Sequence, residues 1–163
     1  MINYTITNSP LGYLLMAATK KGICSVRLGD SKKKLEIELK IEFKTAELVQ
    51  NNENLRKWLK ALMGYLSGRE SWPRLPHDVQ ATAFQRRVWK WLRTIPPGKT
   101  YNYAAAAKAI GQPTAARAVA RACATNPVAL VIPCHRIVPK AGGVGGYRWS
   151  PDRKQKLLKL ENR

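Results

Sequence analysis

The second half of this chain almost lacks carboxylates. No acidic residue lies between Asp78 and Asp152, whereas eleven Lys or Arg residues do. Residues 81–163 carry 16 basic and 2 acidic side chains, and residues 1–80 carry 13 and 8. A surface that is merely solvated mixes both signs, and a one-signed half repels itself. The imbalance, part of a net charge of +19, therefore points to a polyanionic partner, with nucleic acid favoured. An anionic membrane surface competes less well, because no basic amphipathic helix with a broad apolar face stands out.

Cysteine and histidine are also scarce. Three Cys (Cys24, Cys123, Cys134) and two His (His77, His135) show no Cys-x-x-Cys or His-x-x-x-His spacing. This excludes the usual metal frameworks and a disulfide scaffold, and it suggests a reducing compartment. No apolar run approaches the ~20 residues that span a bilayer, and Met1-Ile2-Asn3-Tyr4 does not begin a secretory signal. A cytoplasmic, non-membrane protein is expected. There is no internal repeat. With 45% hydrophobic residues over 163 positions, the chain is globular and long enough to bury a real core.

Residues 1–29 read as β, with apolar runs at 11–17 and 23–28 separated by the turn signal Lys20-Lys21-Gly22. Ser31 is placed to cap a helix to about Phe43. Asn52 opens a second helical pattern, with Leu55, Trp58, Leu59, Leu62, Met63 and Leu66 on one stripe, ending near Gly68. The proline-containing stretch 71–76 reads as a linker, and a boundary is expected near residues 69–80. The division is 1–78 for an N-terminal domain and 79–163 for a C-terminal one.

The second domain reads as mainly helical. Thr82-Ala83-Phe84-Gln85 matches a capping box, followed by Phe84, Val88, Trp91, Leu92 and Ile95 on one face. A short Ala-rich helix runs from Asn102 to Ile110 and closes at Gly111. After Pro113, Thr114 is placed to cap a third helix to about Ala124, with Arg117 and Arg121 sharing a face. Two short helices joined by Gly111-Gln112-Pro113 resemble a helix-turn-helix. A final helix opens at Ser150-Pro151-Asp152, with Leu157, Leu158 and Glu161 facing inward.

The chemistry centres on Val131-Ile132-Pro133-Cys134-His135-Arg136-Ile137-Val138. Most buried cysteines are small core hydrophobes, but here a thiol, an imidazole and a guanidinium are consecutive within apolar flanks. A thiol needs neighbouring cationic or basic groups to become a nucleophile. In an extended chain Cys134 and His135 point to opposite faces, so contact requires a turn or a bridging water.

The hexapeptide 133–138, Asn126-Pro127 before it, Arg117-Ala118-Val119 earlier and Leu157-Leu158-x-x-Glu161 behind resemble the methylated-DNA–protein-cysteine methyltransferases. Through Tyr147-Arg148-Trp149 the likeness is nearest to the C-terminal half of bacterial Ada proteins. It is dense over 82–161 and thin over 1–80. The resemblance implies an N-terminal RNase H-like α/β domain and a mainly α C-terminal domain with a winged-helix-like helix-turn-helix. It implies single-turnover transfer of an alkyl group from O6 of guanine, or O4 of thymine, in duplex DNA to the protein's own cysteine, by a monomer without cofactor or metal.

Carried over by position, Cys134 is the acceptor, His135 deprotonates it through a water and Glu161 orients His135. Asn126 is the hinge between recognition helix and active-site turn, and Tyr103 donates to N3 of the flipped guanine. Arg117 fills the gap in the stack. Ala115, Ala116, Ala118 and Ala122, with Arg121, suit a helix pressed into the minor groove. Ile137, Tyr147, Arg148 and Trp149 line the substrate pocket. Activation by His135 and Glu161 predicts a thiolate forming below the ~8.5 of a free cysteine. Ala104–Ala107 stand where the family commonly has Gln-Gln-Leu-Ala, and Ser150 where relatives often have Gly. The chain lacks the cysteine-rich zinc domain of Ada, so neither phosphotriester repair nor transcriptional activation is expected of it.

Two rivals remain. An alkyltransferase-like binding protein carries Trp in place of the acceptor, which Cys134 contradicts. A plain helix-turn-helix regulator would hold Cys134 as an inert structural thiol.

Overall fold

A computed structural model describes all residues, 1–163. The chain divides into two compact units, Met1–Val79 with Pro127–Val131, and Gln80–Asn126 with Ile132–Arg163. Pro127–Val131, which the sequence places in the second domain, thus packs with the first.

In the first unit, β1 (Ile2–Ser9), β2 (Gly12–Ala18), β3 (Ile23–Gly29) and β4 (Leu48–Gln50) form one sheet in the order β3-β2-β1-β4. The first three strands are antiparallel neighbours, and β4 runs parallel to β1. Apolar and β-branched residues dominate these strands, as a half-buried pleat requires. Helix α1 (Lys32–Glu42) starts at Ser31, whose hydroxyl accepts from the Lys34 N–H. It lays Leu35 and Leu39 on a core containing Tyr4, Leu15, Ala17 and Cys24. Cys24 serves packing, and burial pushes its thiol up to about 12. A 3-10 turn, Glu53–Leu55, leads into α2 (Arg56–Leu66), which buries Leu62, Tyr65 and Leu66.

The free edge of β3 is covered by the chain itself. Val26 N–H donates to Pro127 O (3.0 Å), and Ala129 N–H returns to Val26 O (3.2 Å). Ile23 exchanges the same kind of bonds with Pro76 and Asp78. An uncovered edge would offer its donors and acceptors to other strands. The run 130–132 does not extend as a strand: Leu130 has φ 72°, and its carbonyl accepts from the Trp72 indole at 2.9 Å.

The second unit holds α3 (Ala83–Leu92), α4 (Tyr103–Ala109), α5 (Ala116–Ala124) and α6 (Pro151–Glu161). The capping box at Thr82 and Gln85 is formed, each side chain bonding the other's backbone N–H. The buried tryptophan of α3 is Trp89, not Trp91. Trp89 donates to Ala122 O at 2.9 Å, while Trp91 is half-buried with its edge toward Tyr101. The helical period allows either ring inward, and the indole N–H selects the one with a carbonyl to meet.

Asn102 caps α4 and Gly111, φ 79°, follows its end. Thr114 does not cap α5. Ala115 takes the N-cap position without a side-chain bond, its own N–H held by Gln112 O. Ser150 caps α6 at φ 94°, a conformation glycine adopts more readily, which accounts for the glycine expected there in relatives.

Candidate functional site: a buried thiol on a 3-10 turn

Pro133 ends the extended chain, and Cys134–Arg136 form one 3-10 turn. The Arg136 N–H donates to Pro133 O at 3.1 Å and the Ile137 N–H to Cys134 O at 3.2 Å. The turn is anchored to the segment before α4 by Tyr101, whose N–H donates to Arg136 O and whose carbonyl accepts from Val138 N–H. The turn removes the objection that adjacent residues on a strand face apart.

All three side chains of the turn are buried: Cys134 is 4% exposed, His135 and Arg136 0%. The carboxylate of Glu161, at the end of α6, serves two of them. Arg136 Nε and one terminal nitrogen grip Glu161 Oε1 and Oε2 at 3.0 and 2.7 Å, a bidentate pair. The other terminal nitrogen donates to Ile95 O at 2.6 Å. His135 Nε2 lies 3.0 Å from Glu161 Oε2. Glu161 is therefore not the frayed surface residue that a chain end usually offers.

Burial alone would push the Glu161 carboxyl up, but His135 and Arg136 outweigh it and hold it well below the usual carboxylate range. Burial lowers His135, against the pull of Glu161, and so favours the neutral ring. Nε2 lies within ion-pair distance of the Glu161 carboxylate without a hydrogen bond of good geometry, and Nδ1 is buried and meets no protein hydrogen-bonding partner.

The thiol departs from expectation. Burial pushes Cys134 well up, the Cys123 thiol adds to this, and Asn126 and Lys154 pull the other way without compensating. The resting group is a thiol rather than a standing thiolate, because desolvation penalises the anion more than these neighbours favour it.

Asn126 is fully buried just past α5, and its side-chain amide donates to Ile132 O at 2.9 Å. One residue thus joins the end of α5 to the chain entering the turn. Tyr103 opens α4, half-buried, with its phenol raised by burial. The Tyr147 ring packs edge-to-face with both His135 and Trp149, at centroid distances of 6.5 and 5.4 Å. Trp149 is 6% exposed. Ile137 is buried beneath the turn.

On α5, Arg117, Ala118 and Arg121 are exposed, and Ala115 and Ala116 half-exposed. Ala122 is not on that face. At 2% exposure it packs inward with Val119 and Cys123, so it is no candidate to meet DNA. Positions 119, 122 and 123 form the apolar stripe, and 118 and 121 lie outside it.

Arg136 has a partner that the sequence does not reveal, and Lys154 is absent from the sequence candidates. Arg136 stands within the motif, but its partner lies 25 residues away. Lys154 is 1% exposed and donates to Gly146 O at 3.1 Å. Its spacing to Leu157 and Glu161 puts it on the inward stripe of α6, a signal that its charge obscured.

Comparison with known proteins bears on the family and the fold. Residues 2–79 match the model of the 6-O-methylguanine DNA methyltransferase, ribonuclease-like domain, and residues 83–163 that of the DNA binding domain of the same family. The chain is 41% identical over 160 residues to the bifunctional transcriptional activator/DNA repair enzyme Ada of Escherichia coli. That match covers 98% of this chain but 45% of Ada, so the chain spans less than half the length of that relative. It is 38% identical to the methylated-DNA–protein-cysteine methyltransferase of Methanosarcina barkeri, covering 97% of this chain and 96% of that one. Among solved structures, the O6-methylguanine methyltransferase of Mycobacterium tuberculosis superposes with a TM-score of 0.85 at 32% identity, covering 99% of this chain and 93% of that one. The same protein in complex with DNA gives 0.83 at 32% identity, covering 98% and 92%.

Two domain models of one family, a ribonuclease-like N-terminal domain and a C-terminal DNA-binding domain, account for nearly the whole chain. The chain belongs to the 6-O-methylguanine DNA methyltransferase family.

Proposed function

We propose that this chain repairs DNA by moving a methyl or other alkyl group from O6 of guanine, and from O4 of thymine, in duplex DNA onto Sγ of its own Cys134, once per molecule. The observation that carries the reading is the buried Glu161–His135 pair beside the turn that bears Cys134. Neutral His135, oriented through Nε2, accepts the thiol proton at Nδ1 by way of a water. The sulfur attacks the alkyl carbon, an S–C bond forms, and the C–O bond breaks with its electron pair going to the base. Tyr103 supports that base by donating at N3. The nucleophile is consumed, so the step requires no cofactor to restore it.

A base stacked in a duplex cannot reach a buried thiol, so it must be extruded, at a cost of a few kcal/mol. Here α4 and α5 act as a winged-helix-like helix-turn-helix in the minor groove, with Ala115, Ala116, Ala118 and Arg121 on the DNA and Arg117 filling the vacated stack. Asn126 is the hinge. Residues 1–78 act as the RNase H-like domain. Residues 79–163, apart from the segment that packs with the first unit, act as the DNA-binding and acceptor domain. The protein works in the cytoplasm as a monomer, and its scarcity of acidic groups suits an electrostatic hold on phosphates.

The test is intact mass after mixing with duplex containing O6-methylguanine. One methyl group should be gained per chain, located on Cys134 by fragmentation, with no turnover beyond one equivalent of DNA. Steady turnover, or a label on Cys24 or Cys123, contradicts the reading.

The buried position of Trp149 bears on substrate size. A large rigid ring in the pocket wall leaves a methyl group room but crowds a benzyl group. Overpacking of this kind costs about 1–3 kcal/mol, roughly tenfold to a hundredfold in rate. Reaction with O6-benzylguanine should accordingly be slow, and Trp149→Gly should accelerate it by about that factor. A parent protein that is rapidly inactivated by the free benzylated base, or a mutant that gains nothing, excludes Trp149 from the pocket.

A further inference from the structure

The segment carrying Tyr147 and Trp149 follows a run of glycines, of which Gly142, Gly143 and Gly145 adopt φ between 73° and 107°. Such a run holds little shape of its own. What fixes the segment is a set of cations on backbone carbonyls. Lys154 donates to Gly146 O at 3.1 Å and Arg153 to Trp149 O at 3.2 Å, both from α6. The third tie runs the opposite way. One terminal nitrogen of Arg148 donates to Asn126 O at 2.9 Å and approaches Thr125 O at 3.4 Å.

Those two carbonyls stand just past the last residue of α5, where a helix leaves acceptors unpaired and its dipole is negative. A guanidinium there is held by charge as well as by hydrogen bonding. Its carbon also lies 5.4 Å from the centre of the Trp149 ring, which packs edge-to-face with Tyr147, which in turn packs edge-to-face with His135. Asn126 is therefore held at both ends. Its side chain grips the chain entering the cysteine turn, and its carbonyl is gripped by Arg148.

We propose that Arg148 is a positioning residue that fastens the Tyr147–Trp149 wall to the C-terminal end of α5 and thereby sets how large an alkyl group the acceptor pocket admits. This rests on the alkyl-transfer reading above. Lys154 and Arg153 tie the wall to α6, and Arg148 is its tie to the end of α5. With the tie cut, the wall can swing from the thiol and leave space for a bulky group, at the expense of alignment for a small one.

The experiment compares the intact chain with Arg148→Ala and Arg148→Lys. Single-turnover rates are measured on one duplex carrying either O6-methylguanine or O6-benzylguanine, with affinity for the undamaged duplex measured in parallel. Losing a charge-assisted hydrogen bond shifts an equilibrium by about tenfold or more. The benzyl-to-methyl rate ratio should therefore rise by about tenfold in Arg148→Ala, with duplex affinity changed by less than about threefold, as for the loss of at most one phosphate contact. Arg148→Lys, which keeps a cation within reach of the carbonyls, should retain most of the parent ratio. Arg148 is exposed, so the Ala variant is expected to fold, and its circular dichroism and melting curve check this. An unchanged ratio in Arg148→Ala overturns the proposal, as does a large loss of duplex affinity with the ratio intact, which makes Arg148 a phosphate contact. Failure of the parent to transfer methyl at all is a different outcome and defeats the underlying reading instead.

Discussion

Cys134→Ser is expected to bind duplex DNA as the parent does and to transfer no detectable alkyl group. The two side chains are close to isosteric, and the bonds that shape the turn are made by backbone and by Arg136, so the fold should persist. The chemistry should not. Burial already opposes the sulfur anion, and a hydroxyl in the same place is far harder to deprotonate and a weaker nucleophile toward an alkyl carbon. His135, held as a neutral base, can draw a proton from a thiol but not usefully from an alcohol. Radiolabelled methyl transfer read beside a DNA titration separates the two properties. Residual transfer in the mutant would move the acceptor to Cys123, the other buried thiol of this unit. Loss of DNA affinity would show that the mutation had disturbed the turn itself.

Arg136→Met should give the largest loss of stability. The guanidinium is 0% exposed and satisfies both oxygens of Glu161 and the carbonyl of Ile95. Its removal takes the bidentate partner from a buried carboxylate, and breaking a buried pair in this way costs about 3–5 kcal/mol. For a chain of this size each kcal/mol lowers the melting temperature by about 2–4 °C, so a drop of roughly 6–20 °C is expected. Arg136→Met combined with Glu161→Leu should recover a good part of that loss while remaining inactive, because the buried charge that has lost its guanidinium is then gone. If the double mutant is no more stable than the single one, the pair is not the cause.

The same cluster fixes a pH dependence. Glu161 is held below its unfolded value, so its contribution is present above the ordinary carboxylate range and is lost as pH falls toward the depressed folded value. In Arg136→Met that depression shrinks, and acid unfolding of this unit should begin at higher pH.

Much of the helical half could be read directly from residue types, for reasons that are local. Thr82 and Gln85 form a capping box within four residues, Asn102 and Ser150 accept from N–H groups three residues on, and Gly111 follows α4 with positive φ. Each depends on chain neighbours. Structure and residue pattern part where a distant partner chooses between local alternatives. Trp89 and Trp91 are equally plausible inward rings until Ala122 O is found beside one of them. Ala122 looked free for DNA because small residues fit grooves and interiors alike. The strand β4 is three residues long, too short for any period to show, and exists because β1 offers it an edge.

By itself the sequence determined the acidic void from Asp78 to Asp152, the Pro-Cys-His-Arg constellation and the short capped helices around it. These are matters of composition and of contacts within a few residues. Only the tertiary structure decided the electrostatic state of the site. It brings Glu161 back across 25 residues to Arg136, buries Lys154 and withdraws Cys134 from water. A thiol, an imidazole and a carboxylate take their protonation from desolvation and from charges within a few ångströms. Neither can be read along the chain, because both depend on what folding places alongside.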